Sequence, residues 1–446
     1  MKMFLNRTLV ILSFLIGFSL LASTQAQTLR ELCTKFVSIE TGGGRAATLE
    51  EPAKDLGNII SRLEPNDVVC IAEGSYTGRG DNGVDDIDIP VSVIGGFSTD
   101  FKTRDPWGAH KTIFTGLHNS DNFETQTRLS IDTTDWATKL KEARGEPTEH
   151  TIIVDGIIFD NGPRNYYKDD TESMIVRQGT ASDTPTPESG ALTISTGVNS
   201  TVIVQNNIAI NFAPTEGVFS FFPGRAADVT IYNNVAANNT GAGFRLGTSF
   251  TGDEVPMYKF SNNISVFNEK HDAFGTYGGS GIMLESSSKV EISNSIFAYN
   301  DNYGVDNAKR SPDLVLNDNI IAANANADYL EFDMKMDYDE IEDESELIWE
   351  ASGNSNTTPS FAISEDWGAY YVSRNVIDRN AAEEDVQAVD AWYNDVRSFF
   401  GWNTLAEDLN VDSPVWLPRM SLDDVFNIAL LYEDTYGVYQ PQAESF

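Results

Sequence analysis

TVIVQNNIAINF, Thr201 to Phe212, is written four more times: DVTIYNNVAANN from Asp228, MYKFSNNISVFN from Met257, KVEISNSIFAYN from Lys289 and DLVLNDNIIAAN from Asp313. The first residue of the central doublet is Asn206, Asn233, Asn262, Asn294 or Asp318, so the steps are 27, 29, 32 and 24 residues. The second is Asn207, Asn234, Asn263, Ser295 or Asn319, and five residues beyond it stand Phe212, Asn239, Asn268, Asn300 and Asn324. Short alternating apolar runs flank each polar corner, and they are too short and too β-branched for helices. This period describes a solenoid whose unit is a coil of strands. Stacked strands lie about 4.8 Å apart, so an Asn at the same corner of each coil can donate its amide to the next. Turn propensity explains any single Asn; five corners in register call for a ladder. TIIVDGIIFDN from Thr151 fits the same frame, with Asp155, Gly156 and Asn161 at the three positions, as an earlier coil before a long insertion.

A corner Asn ladder between short parallel strands resembles the right-handed parallel β-helices of the pectate-lyase-like superfamily, over roughly residues 34–335. The stretch KFVSIETGGG followed by EPAKDLGNIISRLEPNDVVCIAEGSYTG resembles the opening of many secreted β-helices, with Asn66 where a Gly is usual. Within it Leu56, Ile59, Ile60 and Leu63 form one apolar helical stripe. In that family such a helix covers the open end of the solenoid, where backbone groups would otherwise be unpaired. IPVSVIGGFS and KTIFTG complete early coils, and the link FSTDFKTRDPWGAHKTIF resembles the family's "GGF…R…TI" segment. The expected fold is therefore all-β, a right-handed parallel β-helix with an Asn ladder, an N-terminal capping helix and a partly helical C-terminal cap.

Three regions follow. Residues 1–26 read as a secretory signal: Lys2 and Arg7, an apolar run Leu9–Leu21, then small and polar residues to Ala26. That run is short for a bilayer, and no second hydrophobic stretch succeeds it. Residues 27–335 hold the β-helix with its N-terminal cap, and 119–149 and 162–188 read as polar insertions. Residues 336–446 comprise the acidic loop (DMKMDYDEIEDESE starts at Asp333) and a C-terminal cap lying against the last coils. The cap should contain helices at Ala381–Phe400 and Leu422–Tyr432, the second capped by Ser421 and Asp424. The GRGD of Gly78–Asp81 is a short motif that recurs by chance.

Export sets the redox context. Cys33 and Cys70 both lie near the mature N-terminus, and an oxidising compartment favours a disulfide between them over two buried thiols. The formal net charge is −37, and removing Lys2 and Arg7 with the signal makes it −39. Such a charge disfavours nucleic acid and anionic membranes as partners. A polysaccharide or other surface glycan is the expected partner, and an acidic one would need a local basic patch or bridging Ca²⁺.

Catalytic signatures are absent. There is no paired-Asp or Gly-His-Gly motif of the β-helix polygalacturonases, no Asp/Arg signature of the pectate lyases, and no HExxH; the four His are at 110, 118, 150 and 271. In the superfamily, substrate usually lies across the strand that follows the long loop of each coil, here GVFSFF, GFRLG, GIMLE and GVDNA. Alternation turns Phe244, Leu246, Ile282, Leu284 and Val305 inward, and Arg245, Met283, Glu285 and Asp306 outward. The candidate catalytic residues are Arg245, Glu285, Asp306 and Lys309. Arg225, His271, Asp272, Tyr277 and Arg310 are candidate substrate contacts. Ca²⁺ on the carboxylates, with a basic side chain taking the proton α to a uronate, would give a polysaccharide lyase. The Glu285/Asp306 pair would suit a glycoside hydrolase. The alternative from another class is a non-catalytic surface or matrix protein that uses the solenoid as an adhesive wall, its charges being an ordinary solvated face.

Overall fold

The computed structural model describes residues 30–78, 83–115, 127–145, 149–161, 190–212, 214, 217–239, 241–248, 254–268, 278–285, 288–308, 311, 313–359 and 420–436. Among them, three sheets of ten, nine and eight strands run parallel, with one antiparallel pairing at the C-terminal end. In a representative coil, Ser200–Gln205 lies in the ten-stranded sheet, Ile208–Ile210 in the eight-stranded sheet and Gly217–Phe222 in the nine-stranded sheet. The chain then re-enters the ten-stranded sheet at Asp228–Tyr232, with Thr201 facing Asp228 and Gln205 facing Tyr232. The sequence repeat is thus the structural repeat, and the fold is an all-β parallel β-helix. No described helix is long and apolar enough to cross a membrane.

Each coil turns two tight corners, one on either side of its three-residue strand. The first residue of the first corner is left-handed: φ is 57° at Asn206, 53° at Asn233, 59° at Asn262, 47° at Asn294 and 56° at Asp318. Asn and Asp tolerate that region better than other side chains. The second residue carries the ladder. Asn207 Nδ2 donates to Asn234 Oδ1 at 3.0 Å and Asn234 Nδ2 to Asn263 Oδ1 at 3.0 Å. The series continues through Ser295 to Asn319. A second ladder occupies the other corner, where Asn239, Asn268, Asn300 and Asn324 bond in sequence. There the left-handed places include Phe267 (φ 57°) and Tyr299 (φ 57°), whose rings stack at 5.2 Å.

The structure corrects this frame at one coil and extends it at another. Gln205 pairs with Asp155, so Gly156 (φ 73°) takes the left-handed place and Ile157 the ladder place, one residue later than expected. The ladder also continues beyond the fifth repeat. Asn319 Nδ2 donates to Asn354 Oδ1 at 3.0 Å, and Gly353 (φ 68°) supplies the left-handed residue.

Inside the solenoid, Phe114, Phe159, Phe219, Phe244, Phe260 and Phe297 form a continuous column of rings with centroids 4.9–6.2 Å apart. At the N-terminal end the expected capping helix forms as two successive 3-10 turns, Leu56–Asn58 and Ile60–Arg62, started by Asp55 accepting from Gly57 N at 2.8 Å. Gly57 and Asn58 are poor helix formers. Leu56, Ile59 and Leu63 are nonetheless buried as the stripe requires. Cys33 and Cys70 are joined, Cα to Cα 5.7 Å, tying the chain entry to strand Val68–Ala72.

The acidic stretch after Asp333 is more than a solvated loop. Met334–Met336 pairs antiparallel with Ala327–Glu331, helix Ile341–Glu344 follows, and Met336 and Ile341 are buried in the core. The acids point outward while two apolar side chains close the last coil. Glu331 is buried beneath them, accepting from Tyr329 Oη at 3.0 Å, from Glu346 N at 3.0 Å and from Ser345 Oγ. Part of the expected insertion 119–149 also belongs to the body, as strand Leu129–Asp132 and helix Thr134–Arg144.

The C-terminal helix spans Leu422–Tyr436, and its reciprocal cap is present: Ser421 Oγ donates to Asp424 Oδ2 at 2.7 Å and accepts from Asp424 N at 3.1 Å. It lies farther back along the solenoid than the last coils. Met420, Val425 and Ile428 join Ile210, Val235, Ala237 and Val266 in one cluster, and Asn211 bonds both backbone groups of Met420. The cause is the outer face of the eight-stranded sheet, which is apolar at both ends of its strands from Ile208–Ile210 to Ile320–Ala322. The helix expected at Ala381–Phe400 and the insertion 162–188 lie outside the described residues.

Asn263 Nδ2 donates to Ile231 O and Ser261 O, both at 2.9 Å, while its Oδ1 accepts from Asn234 N and Nδ2. Asn263→Leu leaves these buried groups unpaired and should lower stability in urea by about 3 kcal/mol or more. Asn262→Gly keeps the left-handed corner and should cost less than about 1 kcal/mol; equal losses in the two variants would overturn this account of the ladder. Denatured, unreduced protein should show no reactive thiol from Cys33 or Cys70, and reduction should destabilise it by about 3–4 kcal/mol.

Candidate functional site

The nine-stranded sheet carries the candidate wall. Register aligns Ser130, Thr193, Ser220, Arg245, Met283 and Asp306 across successive coils. Their inward neighbours Phe244, Leu246, Ile282, Leu284 and Val305 are all in the core, as alternation requires. The outward row is itself well covered: Ser220, Met283 and Asp306 are buried.

Arg245 and Glu285 come together. Nη2 of Arg245 lies 3.1 Å from both Oε1 and Oε2 of Glu285, and its Cζ stands 4.7 Å from the centroid of the Phe222 ring. The side chains of the ion pair are 14% and 15% exposed. The guanidinium is thus held between a ring on the preceding coil and a carboxylate on the following one. Two glycines make room. A Cβ on Gly247 would meet the Phe222 ring at 2.9 Å and Glu285 Oε2 at 3.2 Å, and one on Gly217 would meet Arg245 Cβ at 2.5 Å. Beneath them Tyr258 Oη donates to Gly247 O at 2.7 Å. Burial, reinforced by the Glu285 charge, pushes its phenol well above the usual tyrosine range.

Asp306 stands one coil beyond, separated from Arg245 in the row by Met283. Its Oδ1 accepts from Ala308 N at 3.1 Å. Arg225 lies in the turn after Gly217–Phe222 and pairs with Glu254 at 3.2 Å. Lys309, Arg310, His271, Asp272 and Tyr277 lie outside the described residues. Phe222, Gly217 and Gly247 were not singled out from sequence. The available signal was alternation along GVFSFF, which turns Phe222 outward two residues after Ser220.

Among the described residues, no group of three or more His, Cys, Asp and Glu side chains is placed to hold a metal ion. Glu285, one of the two candidate carboxylates, is bonded to Arg245.

No protein-family model matches the chain, and no curated protein matches it in sequence. Among solved structures it is similar to pectate lyase Pel9A, with 10% identity and a TM-score of 0.31 over 74% of this chain and 84% of that one. It is also similar to a rhamnogalacturonan lyase, with 13% identity and a TM-score of 0.32 over 66% and 75%. Likeness at this level bears on neither substrate nor chemistry.

At the end of the same sheet, burial raises the Asp328 carboxyl to about 6, with Asp337 and Asp339 adding to the shift against bonds from Asn324 and the Tyr338 backbone. A carboxyl raised in the fold is penalised when ionised. Its contribution is most favourable below its unfolded pKa, about 4, and is lost as pH climbs through about 6. Asp328→Asn should match the parent near pH 3.5 and exceed it in urea stability by on the order of 2 kcal/mol at pH 7.5. A constant difference across that range would remove Asp328 as the titrating group.

Proposed function

We propose that this chain is an exported glycan-binding protein whose outer wall on the nine-stranded sheet holds a polysaccharide without cleaving it. One observation carries the reading: the Phe222–Arg245–Glu285 sandwich, fixed across three coils. It sets a ring, a planar cation and a carboxylate side by side, with Arg245 in register with the hydroxyl of Ser220. Sugars are recognised by such a mixture of apolar faces and oriented hydrogen-bonding groups. The arrangement supports binding over lyase chemistry because the Arg245 guanidinium is already bonded to Glu285 and packed on the Phe222 ring, so it is held in place rather than offered to a reacting atom. The pair is also locally neutral, so among the described residues it adds no positive charge to a chain of net charge −37. A polyuronate would be repelled and a neutral glycan would not. Export rests on the N-terminal signal and accords with the Cys33–Cys70 disulfide.

The test is affinity electrophoresis through gels of neutral and acidic polysaccharides, with product absorbance and reducing ends followed in parallel, with and without Ca²⁺. Neutral polysaccharide should retard the protein, without unsaturated product or new reducing ends. Arg245→Ala and Phe222→Ala should each weaken retardation about tenfold, equivalent to about 1.4 kcal/mol. Unsaturated product would install the lyase in place of this reading. Absence of retardation on every glycan would leave a structural solenoid.

A further inference from the structure

The last strand of the ten-stranded sheet, Ile348–Ser352, breaks alternation once. Leu314 pairs with Ile348, but Val315 pairs with Glu350, Leu316 with Ala351 and Asn317 with Ser352. Ile348 and Ala351 pack on the core. Without the extra residue, strict alternation would turn Glu350 inward. The bulge instead places Trp349 and Glu350 side by side on the outer face, both exposed. Trp349 is 79% exposed, by far the most open of the large hydrophobic side chains among the described residues.

Polar groups of the same two strands bond to one another on this face. Asn317 Nδ2 donates to Glu350 Oε1 at 3.2 Å, and Ser352 Oγ donates to Asn317 Oδ1 at 2.9 Å. A carboxylate, an amide and a hydroxyl are therefore joined on the same outer face as the open indole, Glu350 being its chain neighbour. A bulge that re-aims a side chain next to such a cluster has the form of a recognition device.

We propose that Trp349, Glu350, Asn317 and Ser352 form a second carbohydrate site, which takes one neutral pyranose ring of a glycan. The C–H face of the sugar lies on the indole, and adjacent ring hydroxyls donate to Glu350 and exchange hydrogen bonds with Asn317 and Ser352. Charge narrows the choice of occupant. Glu350 and a chain of net charge −37 disfavour an anionic ligand, and they equally disfavour a second copy of the same acidic chain. The site lies on the ten-stranded sheet and stands independently of the Arg245 wall.

The experiment is 19F NMR on full-length protein labelled with 5-fluorotryptophan, the Trp349 resonance being the one lost in Trp349→Phe. Xylohexaose, cellohexaose and mannohexaose, all neutral, are titrated separately into the parent, Arg245→Ala and Glu350→Ala/Asn317→Ala proteins. At least one oligosaccharide should shift the Trp349 resonance in a saturable way, unchanged in Arg245→Ala and weakened at least fivefold in the double variant. No shift with any of the three overturns the proposal. A shift abolished by Arg245→Ala also overturns it, because the ring then only reports the other wall. A resonance that moves on simple dilution of the protein assigns the ring to contact between copies and overturns it too. Failure here leaves the electrophoretic test of the Arg245 wall untouched.

Discussion

The whole molecule hangs on a paired requirement at each corner: a residue that accepts left-handed backbone, followed by an amide that bonds the coil above and the coil below. A tight corner buries backbone groups that have no strand partner, and burial without a partner is expensive. Asn207, Asn234 and Asn263 meet this need three ways at once. Each amide nitrogen donates along the ladder or to two carbonyls of its surroundings, and each oxygen accepts a backbone N–H from the coil before. No apolar residue of similar size does this. The left-handed place is less demanding of side-chain chemistry: Gly156 and Gly353 serve there as well as Asn233. At the second corner Phe267 and Tyr299 occupy it, their backbone strain offset by ring stacking within the cluster that holds the C-terminal helix.

Because the corners lock the coils, the outer walls inherit a register that no loop could provide. Arg245 reaches Glu285 across 40 residues of sequence because their strands are neighbours in a parallel sheet. The glycines refine the arrangement. Gly217 and Gly247 lie where a methyl group would collide with the parts of the sandwich, so their smallness is required by neighbours on adjacent coils rather than by backbone angle. A solenoid thus solves side-chain positioning by repetition, and specificity enters through single departures from the repeat.

How far the sequence revealed this follows from the same physics. The doublets, spaced at near-constant steps, exposed the coil, and alternation correctly sorted Phe244 and Leu246 from Arg245. Cys33 and Cys70 were legible because two cysteines allow a single intrachain pairing. The frame slipped at Asp155 because a Gly in the left-handed place breaks the Asn doublet, leaving two registers that fit the sequence equally well. Asn354 was hidden by a different cause: the preceding insertion holds the end strands and lengthens the step from Asn319 to 35 residues. The acidic stretch concealed its closing role because Met336 and Ile341 are two apolar residues among many acids. Neither forms a period that composition can reveal. Phe222 was visible in principle, but an aromatic residue in a β-helix is so often core that only its partner across the coil identifies it.

The departures from the repeat concentrate where function can use them. A regular coil gives every outward position the same spacing and nearly the same surroundings, which suits a polymer with its own repeat but distinguishes no point along it. Arg245 breaks the row of small hydroxyls at Ser130, Thr193 and Ser220 with a cation and its counter-charge. Trp349 breaks alternation itself, through one added residue at the edge of another sheet. The two lie on different faces of the solenoid, and the first is covered where the second is open. A covered, neutralised ion pair holds its shape and discriminates by fit, since moving it breaks two partners at once. An open ring with polar neighbours would, on the proposals made above, tolerate many sugars and release them quickly, because little of it needs to be desolvated. On those proposals a selective wall and a permissive contact point would differ through burial alone.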